Sequence, residues 1–403
     1  MKRFQFFRFL LFAATGALLM LAACEKEEAL LPGNGGDEIA DLKAANGNGA
    51  ASYIVVLNDR VEAEANLTSV RGYERRQEQM TGYLNRFLSG HGVGPDQLDL
   101  VYTNVYPGFA ARLNARQVAR LQADPRVKSI TPDQVVTLVK PTGKPSPQPP
   151  AQSTPWGITR VGGATNYTGT AKAWVIDTGI DLDHPDLNVD AALGKSFVSR
   201  VTSPNDDNGH GSHCSGIIAA KNNEVGVVGV AAGATVVPVK VLDRRGSGYM
   251  SWIIGGVDYV AANGKAGDVA NLSLGGGAYQ ELDDAVIALG SKGVQVSIAA
   301  GNSSADANNY SPARANGTNL YTISAMDINN NFASFSNFGN PPIEYCAPGV
   351  SILSCYKDAG YTTMSGTSMA APHVAGLLLL GTVKTDGYVT GDKDTTPDPI
   401  AHK

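Results

Sequence analysis

The sequence predicts a three-layer α/β domain with a mainly parallel sheet, preceded by a small α+β domain. Over residues 155–403, short apolar runs without polar alternation are separated by helical stretches of small residues, as in strands covered on both faces. Over residues 53–139, strand-like and helix-like segments follow the order β-α-β-β-α-β. A proline-rich strip, residues 140–154, separates the two patterns. The chain is therefore expected to fold as two units of unequal size.

Composition supports a folded chain and argues against a nucleic-acid partner. Apolar residues make up 43% of the 403 residues and charged residues 17%, which is enough apolar sequence for a large core. The 46 glycines indicate many tight turns. The formal net charge of -5 provides no basic surface of the kind that binds phosphate backbones, so we expect no nucleic acid to bind.

The amino terminus has the features of a targeting segment. Basic residues precede an apolar run that is shorter than the roughly 20 residues of a membrane span. The run ends in Leu21-Ala22-Ala23-Cys24, which resembles the lipobox of bacterial lipoproteins. We therefore expect a signal peptide over residues 1–23 and lipidation of Cys24, with an ordinary secretory signal as the alternative. Both alternatives predict export, and the lipid would make the precursor membrane-anchored.

The small domain is expected to be ferredoxin-like and to follow a flexible tether, residues 24–52, which is polar and glycine-rich. Asn114 followed by Gln117 is typical of a capped helix start. The predicted segments are a strand at 53–57, a helix within 61–88, a strand pair over 98–113, a helix after Asn114 and a last strand over 127–139.

The large domain follows an extended, protease-accessible linker. Its predicted parallel strands alternate with helices, as a layered α/β fold requires. The polar tail over residues 385–403 has no predicted role. The strands are expected at 174–176, 236–239, 269–274 and 294–300, with helices including 257–262 and 282–289.

Three motifs supply the groups needed for nucleophilic catalysis. Asp177 ends a buried strand, His210 lies in Asn-Gly-His-Gly-Ser-His, and Ser368 lies in Ser-Gly-Thr-Ser-Met-Ala-Ala-Pro-His. A serine hydroxyl becomes a good nucleophile when an imidazole removes its proton and a carboxylate orients that imidazole. The three residues therefore predict an acyl-transfer site.

These motifs and their Asp-His-Ser order resemble the subtilisin-type (subtilase) serine peptidases. The resemblance implies a subtilisin-like fold and hydrolysis of peptide bonds in proteins and peptides, with broad specificity and an apolar P1 residue. The residues after Ser368 are expected to begin a helix with Pro372 in its first turn. The resemblance also assigns Asn302 as an oxyanion donor, although it could instead be a simple turn residue. The implied substrate-binding residues are Ser273, Leu274, Gly275, Gly276, Ala300 and Gly301.

The cysteines leave alternatives open. Cys214 follows His210 by four residues, as in the proteinase K branch of the family, and is either a thiol nucleophile or, as we favour, a buried small side chain. Cys346 and Cys355 flank a turn-rich stretch and are either a disulfide or two unpaired buried thiols.

The resemblance further implies a structural calcium ion, with an ordinary surface turn as the alternative. It also implies that residues 53–139 are an inhibitor-type propeptide that occupies the active site of a monomeric enzyme. The precursor is then expected to cut itself in the linker, so that only the lipidated precursor is held at the membrane. The implied calcium ligands are Gln152, Asp186, Lys221, Asn223, Val225 and Val227.

Two other functions compete with this one. His184, His210 and His213 could hold a metal in a hydrolase, but the Glu of a zincin motif is missing. A non-catalytic binding lipoprotein could have kept a peptidase fold, but it would be expected to have lost a member of the Asp-His-Ser set.

Overall fold

The computed structural model describes residues 49–138 and 151–403. The predicted signal peptide, Cys24, and most of the predicted tether and linker lie outside the described residues. Among the helices that are described, none combines the length and apolarity needed to cross a bilayer.

The small domain is an antiparallel sheet in the order β2-β3-β1-β4, covered by helices, as the ferredoxin-like prediction requires. Asn114 caps its helix through the backbone N–H of Gln117. The predicted helix over 61–88 is two helices, because Asn66 adopts a left-handed conformation (φ 55°) that a helix cannot continue. The elements are β1 Ala51–Leu57, α1 Arg60–Glu64, α2 Tyr73–Gly90, β2 Leu98–Tyr102, β3 Gly108–Leu113, α3 Ala115–Gln122 and β4 Val127–Pro132.

The last predicted strand of this domain is also divided. Its second half, β5 Val135–Thr137, leaves the sheet and pairs with a strand of the large domain. The end of the small domain is thereby carried onto the surface of its neighbour.

The large domain has a helix at each predicted place, but the helix predicted over 257–262 is longer and begins at Met250, whereas the one predicted over 282–289 spans Gln280–Ser291. Short 3₁₀ helices occur at Pro95–Gln97 in the small domain and at Ala191–Leu193 and Ala307–Asn309 here. The α-helices are α4 Trp156–Arg160, α5 His210–Ala219, α6 Met250–Asn263, α7 Gln280–Ser291 and α8 Thr367–Leu380.

The central sheet of the large domain has ten strands within the described residues and is parallel except at one edge. Its order is β21-β22-β18-β17-β15-β13-β7-β11-β8, with β9 also paired to β11. The mainly parallel α/β class, predicted from apolar runs without polar alternation, is confirmed by this sheet. The strands are β6 Thr165–Asn166, β7 Ala173–Asp177, β8 Asn188–Val189, β9 Lys195–Ser196, β10 Ala231–Ala232, β11 Thr235–Lys240, β12 Ser247–Tyr249, β13 Val269–Leu272, β14 Gly276–Gly277, β15 Gln295–Ala299, β16 Tyr310–Ser311, β17 Leu320–Met326, β18 Ile343–Pro348, β19 Ile352–Tyr356, β20 Gly360–Met364, β21 Lys384–Tyr388 and β22 Pro399–His402.

Helices cover both faces of this sheet. Helices α5 and α8 share one apolar core with one face, while α6 and α7 share a second core with the other. The small domain packs onto α6 and α7, and its residues Ile54, Tyr102 and Val136 belong to that second core. Helices α5 and α8 therefore lie on one face of the sheet and the small domain on the other.

Two sequence expectations are corrected here. Cys346 and Cys355 are free thiols, both fully buried, so the disulfide alternative is wrong. Cys346 packs with Met326 and Ile400, whereas Cys355 belongs to the core beneath α5, so the two thiols face different surroundings. Pro372 is the sixth residue of α8 and lies in its second turn rather than its first.

Candidate active site

The three residues of the predicted acyl-transfer site meet at one edge of the large sheet. Asp177 is the last residue of β7, His210 the first of α5 and Ser368 the second of α8. Parallel strands present their carboxyl ends at the same edge, where a ligand crevice forms. The cleft there has a volume of about 480 Å³. It is lined by His210, Ser368, Asn302 and all the predicted substrate-binding residues, Ser273, Leu274, Gly275, Gly276, Ala300 and Gly301.

Asp177 orients His210. Its two carboxylate oxygens lie 2.8 and 2.9 Å from His210 Nδ1, and both side chains are almost fully buried. Burial by itself lowers the pKa of His210, but the Asp177 carboxylate raises it, and the net pKa lies well above the usual 6.5. The pair therefore fixes the tautomer that carries a proton on Nδ1, which leaves Nε2 as the base.

Ser368 stands at the amino end of α8. Its Oγ donates to the carbonyl of Ser273 at 3.1 Å, and the first turn of the helix directs backbone N–H groups toward the cleft. Asn302 is anchored through its Oδ1, which accepts from Thr367 N at 2.8 Å and Thr367 Oγ1 at 3.0 Å. Its Nδ2 is thereby left as the donor at this edge of the cleft.

Cys214 is a buried thiol beneath the imidazole. Its Sγ lies 4.0 Å from His210 Nδ1 and donates to the carbonyl of Ser368 at 3.4 Å. Burial raises the pKa of the Cys214 thiol, which opposes formation of the thiolate that a nucleophile requires. The geometry favours the small buried side chain over the thiol nucleophile.

The end of the small domain lies in the cleft as an extended strand. Strand β5 pairs antiparallel with β12, and Leu138 N donates to Gly246 O at 2.9 Å. On the other side, a Cβ placed on Gly276 would lie 3.2 Å from Val136, so only glycine leaves this space without crowding. Thr137 and Leu138 are part of the cleft lining.

Two buried charged residues that sequence reasoning missed support the site. Asp206 accepts from Thr178 Oγ1 at 2.9 Å and from Ser212 Oγ at 2.7 Å, which ties the loop after Asp177 to the first turn of α5. Asp206 lies in a run of Asn and Asp that looks like a solvated loop. The only feature of the sequence that could have indicated its role is its position four residues before His210.

Lys240 is the second of these residues. Its side chain is fully buried, and its Nζ donates to Thr178 O at 2.6 Å and to Asp207 Oδ1 at 2.6 Å. Its signal in the sequence is a lone lysine at the end of an apolar strand.

Three of the predicted calcium ligands, Gln152, Asp186 and Asn223, are joined by hydrogen bonds. Asn223 N donates to Gln152 Oε1, and Asn223 Nδ2 donates to Asp186 Oδ1 at 2.9 Å. Val227 N donates to the other Asp186 oxygen at 3.0 Å. Burial raises the pKa of Asp186, so a cation would relieve a buried carboxylate here. One carboxylate, two side-chain carboxamides and the backbone carbonyls predicted at Lys221, Val225 and Val227 are the kind of hard oxygen donors that calcium prefers.

The histidines of the rival metal hydrolase are not assembled around a common point. The Nε2 of His184 faces Gly360 O, and the Nε2 of His213 faces two backbone carbonyls. Among the described residues, the group of potential metal ligands that does lie close together is Asp177, His210 and Cys214.

Comparison with known proteins agrees with this geometry. Residues 172–389 match the model of the subtilase family, and residues 52–139 match that of peptidase inhibitor I9. Alkaline serine exoprotease A of Vibrio alginolyticus is 40% identical over 295 residues, which are 70% of this chain but only 53% of that protein. Proteinase R of Parengyodontium album is 37% identical over 294 residues, 69% of this chain and 71% of that protein.

A solved structure is also similar. A cold-adapted subtilisin-like serine proteinase has 35% sequence identity and a TM-score of 0.54, and the match covers 61% of this chain and 97% of that one. With an I9 inhibitor domain ahead of a subtilase domain, the chain belongs to the subtilase family of serine proteases.

Proposed function

We propose that this chain is an exported zymogen whose mature form hydrolyses peptide bonds through an acyl-enzyme on Ser368. The observation that supports this most strongly is the Asp177–His210 hydrogen-bonded pair at 2.8 Å, set in the cleft that also holds Ser368 and Asn302. Nucleophile, base and orienting carboxylate are the minimum set for this chemistry.

In the proposed reaction, His210 Nε2 takes the Ser368 proton as Oγ attacks the substrate carbonyl carbon. Asn302 Nδ2 and the Ser368 backbone N–H stabilise the oxyanion. His210 then gives the proton to the departing amine, and the peptide C–N bond breaks. A water molecule, deprotonated by His210, releases the acyl group from Ser368. Asp177 stabilises the imidazolium in both halves of the reaction.

A fluorophosphonate separates this function from the metal hydrolase. We expect the reagent to inactivate the mature enzyme by transferring its phosphonyl group to Ser368 Oγ with loss of fluoride, as read by peptide mass spectrometry. A chelator followed by excess calcium should leave activity intact. Resistance to the phosphonate, with permanent loss of activity on chelation, would contradict the proposal and support the metal-hydrolase hypothesis.

We also propose that the small domain inhibits the enzyme as a product-like strand and that cleavage occurs between Leu138 and Ala151. Support comes from the pairing of β5 with β12 and from Thr137 and Leu138 in the cleft lining. Backbone pairing recognises any extended peptide, which favours protein substrates with broad specificity. The apolar P1 preference stays an inference from the family.

The inhibitor domain is held at a second point, the carboxylate of Asp258 on α6. Its Oδ1 accepts from the backbone N–H groups of Thr103, Asn104 and Val105 at 2.9, 2.6 and 3.0 Å. Asp258 is fully buried, so its loss would leave the buried Thr103 N–H without an acceptor at roughly 1–3 kcal/mol, and the part-buried Asn104 and Val105 N–H groups at less.

Replacing Asp258 by alanine is therefore expected to speed release of the cleaved inhibitor domain by about tenfold to a hundredfold. The lag before full activity, followed with a chromogenic peptide, measures this release. Asp284→Ala is the matched control, because Asp284 forms an exposed ion pair with Lys128 at 3.9 Å across the same interface. Its loss should change the rate of release by less than about twofold. Equal lags in both variants would contradict the prediction.

We propose that calcium binds at Gln152, Asp186, Asn223 and the neighbouring loop carbonyls and stabilises the fold without joining the chemistry. Saturating calcium is expected to raise the unfolding temperature by roughly 5–10 °C. Asp186→Asn should abolish the shift, whereas Asp190→Asn, at a carboxylate paired with Lys172, should keep it. Calorimetry with and without calcium makes the comparison, and an unchanged response in Asp186→Asn would contradict the site.

Export and lipidation at Cys24 complete the proposal. If Cys24 carries the lipid and the linker is cut, the anchor stays with the inhibitor domain. The mature enzyme, which we propose is a monomer, would then be released from the membrane to the cell surface or the medium.

A further inference from the structure

The helix that carries Ser368 has a proline at the position whose N–H would normally donate to the Ser368 carbonyl. In an α-helix, the carbonyl of each residue accepts from the N–H four residues later. Four residues after Ser368 is Pro372, inside α8, and proline has no N–H. The carbonyl of Ser368 therefore lacks its regular helical partner, although it is buried beneath the cleft.

Two side chains from other elements donate to this carbonyl. Ser273 Oγ lies 2.8 Å from Ser368 O, and Cys214 Sγ lies 3.4 Å from it. Both side chains are fully buried. The direction of the serine bond is also fixed, because Asn271 Nδ2 donates to Ser273 Oγ at 2.9 Å and leaves the hydroxyl proton for Ser368.

The two donors connect the separate parts of the site. Ser273 follows β13, in the segment that lines the substrate cleft, and Cys214 lies one turn after His210 on α5. The carbonyl position sets the backbone torsion ψ of Ser368, and the Cα that carries Oγ rotates with it. A shift of this carbonyl would therefore move Oγ relative to the imidazole.

We propose that Ser273 and Cys214 are positioning residues whose side chains replace the N–H missing at Pro372 and hold Ser368 in its reactive orientation. This inference rests on the proposed role of Ser368 as the nucleophile. It assigns a role to the Cys214 thiol, which the acyl-transfer chemistry itself does not use.

The test is a double-mutant cycle with Ser273→Ala and Pro372→Ala. Ser273→Ala removes the donor but keeps the backbone of the cleft, and it is expected to lower kcat about tenfold with KM changed less than twofold. The rate of fluorophosphonate inactivation should fall in parallel. In the Pro372→Ala background, the restored N–H supplies the missing partner of the Ser368 carbonyl. Ser273→Ala should then lower kcat by less than about twofold.

Ser297→Ala is the matched control. Ser297 is also fully buried, and its Oγ donates to the same helix, at Ala371 O, at 2.8 Å. That carbonyl keeps a regular partner, since residue 375 is alanine. Its removal is expected to lower the unfolding temperature as much as Ser273→Ala does while leaving kcat within twofold.

Variants of Cys214 give a second test of the proposal, which remains valid if the Ser273 variants do not fold. Cys214→Ser keeps a donor and should keep kcat within about threefold, whereas Cys214→Ala should lose about fivefold or more. Equal loss from Ser273→Ala in both Pro372 backgrounds, a rise in KM alone, or equal kcat in the two cysteine variants would overturn the proposal. Activity surviving in Ser368→Ala would instead overturn the proposed function.

Discussion

Ser368→Ala is expected to lower kcat by about a million-fold, the size found when the nucleophile is removed from subtilisin. The variant cannot form an acyl-enzyme, so only binding and the oxyanion donors remain to assist direct attack by water. KM should change little, because the substrate strands of the cleft are intact. Hydrolysis of a chromogenic peptide, with the enzyme concentration set by absorbance, measures the loss.

The same substitution is expected to leave the precursor uncut. Mass spectrometry of the purified wild-type protein should find a mature amino terminus between residues 139 and 151, and that species should be missing from Ser368→Ala. A cut at this position in the variant would show that another protease processes the chain. Retention of both cutting and peptide hydrolysis would refute Ser368 as the nucleophile and support the binding-protein alternative.

Asp177→Asn is expected to lower kcat by about ten-thousand-fold, because asparagine presents an amide to His210 and no longer selects the tautomer or stabilises the imidazolium. The expected loss is smaller than for Ser368, since the nucleophile and the base both remain. Kinetics at saturating substrate measure it, and a change confined to KM would contradict the orienting role.

The pH dependence gives an independent readout of the same pair. The base must be neutral, so wild-type activity should rise with pH through the raised pKa of His210. Removing the Asp177 charge leaves burial, which lowers the pKa of His210, so the acid limb of kcat/KM should move to lower pH. Asp268→Asn is the control, because this buried carboxylate accepts from Trp174 Nε1 at 3.0 Å and should alter stability without moving that limb.

The local signals in the sequence were sufficient for the fold class, whereas the residues expected to line the cleft were implied by the resemblance to the subtilase family. Short apolar runs ending in Asp177 or leading to Ser273 and Asn302 predict parallel strands, and such strands bring their carboxyl ends together whatever their order. The supporting contacts of Asp206 and Lys240 were not predictable in this way, because each joins segments far apart in the chain. A polar run or a lone lysine has the same local appearance in a solvated loop.

The tail shows the same limit. Residues 385–403 lack apolar periodicity, yet they contain most of β21 and all of β22, which extend the central sheet beside β18. Strand β22 pairs with β18 at Ile400 and Cys346, far apart in the chain, and Asp398 is buried against Ser324 although it lies in a polar run. The thiols Cys346 and Cys355 likewise give no sign in the sequence that their surroundings differ.

The pairing of β5 limits what the mature enzyme can cut. Residues Val135–Thr137 form a strand that pairs with β12, and Val136 lies close to Gly276 on the other side. A helix, or a strand paired on both edges within its own sheet, has no free backbone groups to offer to β12. We therefore expect that a folded protein must detach a short stretch of chain before it can be cut, so the local stability of the target should govern its susceptibility.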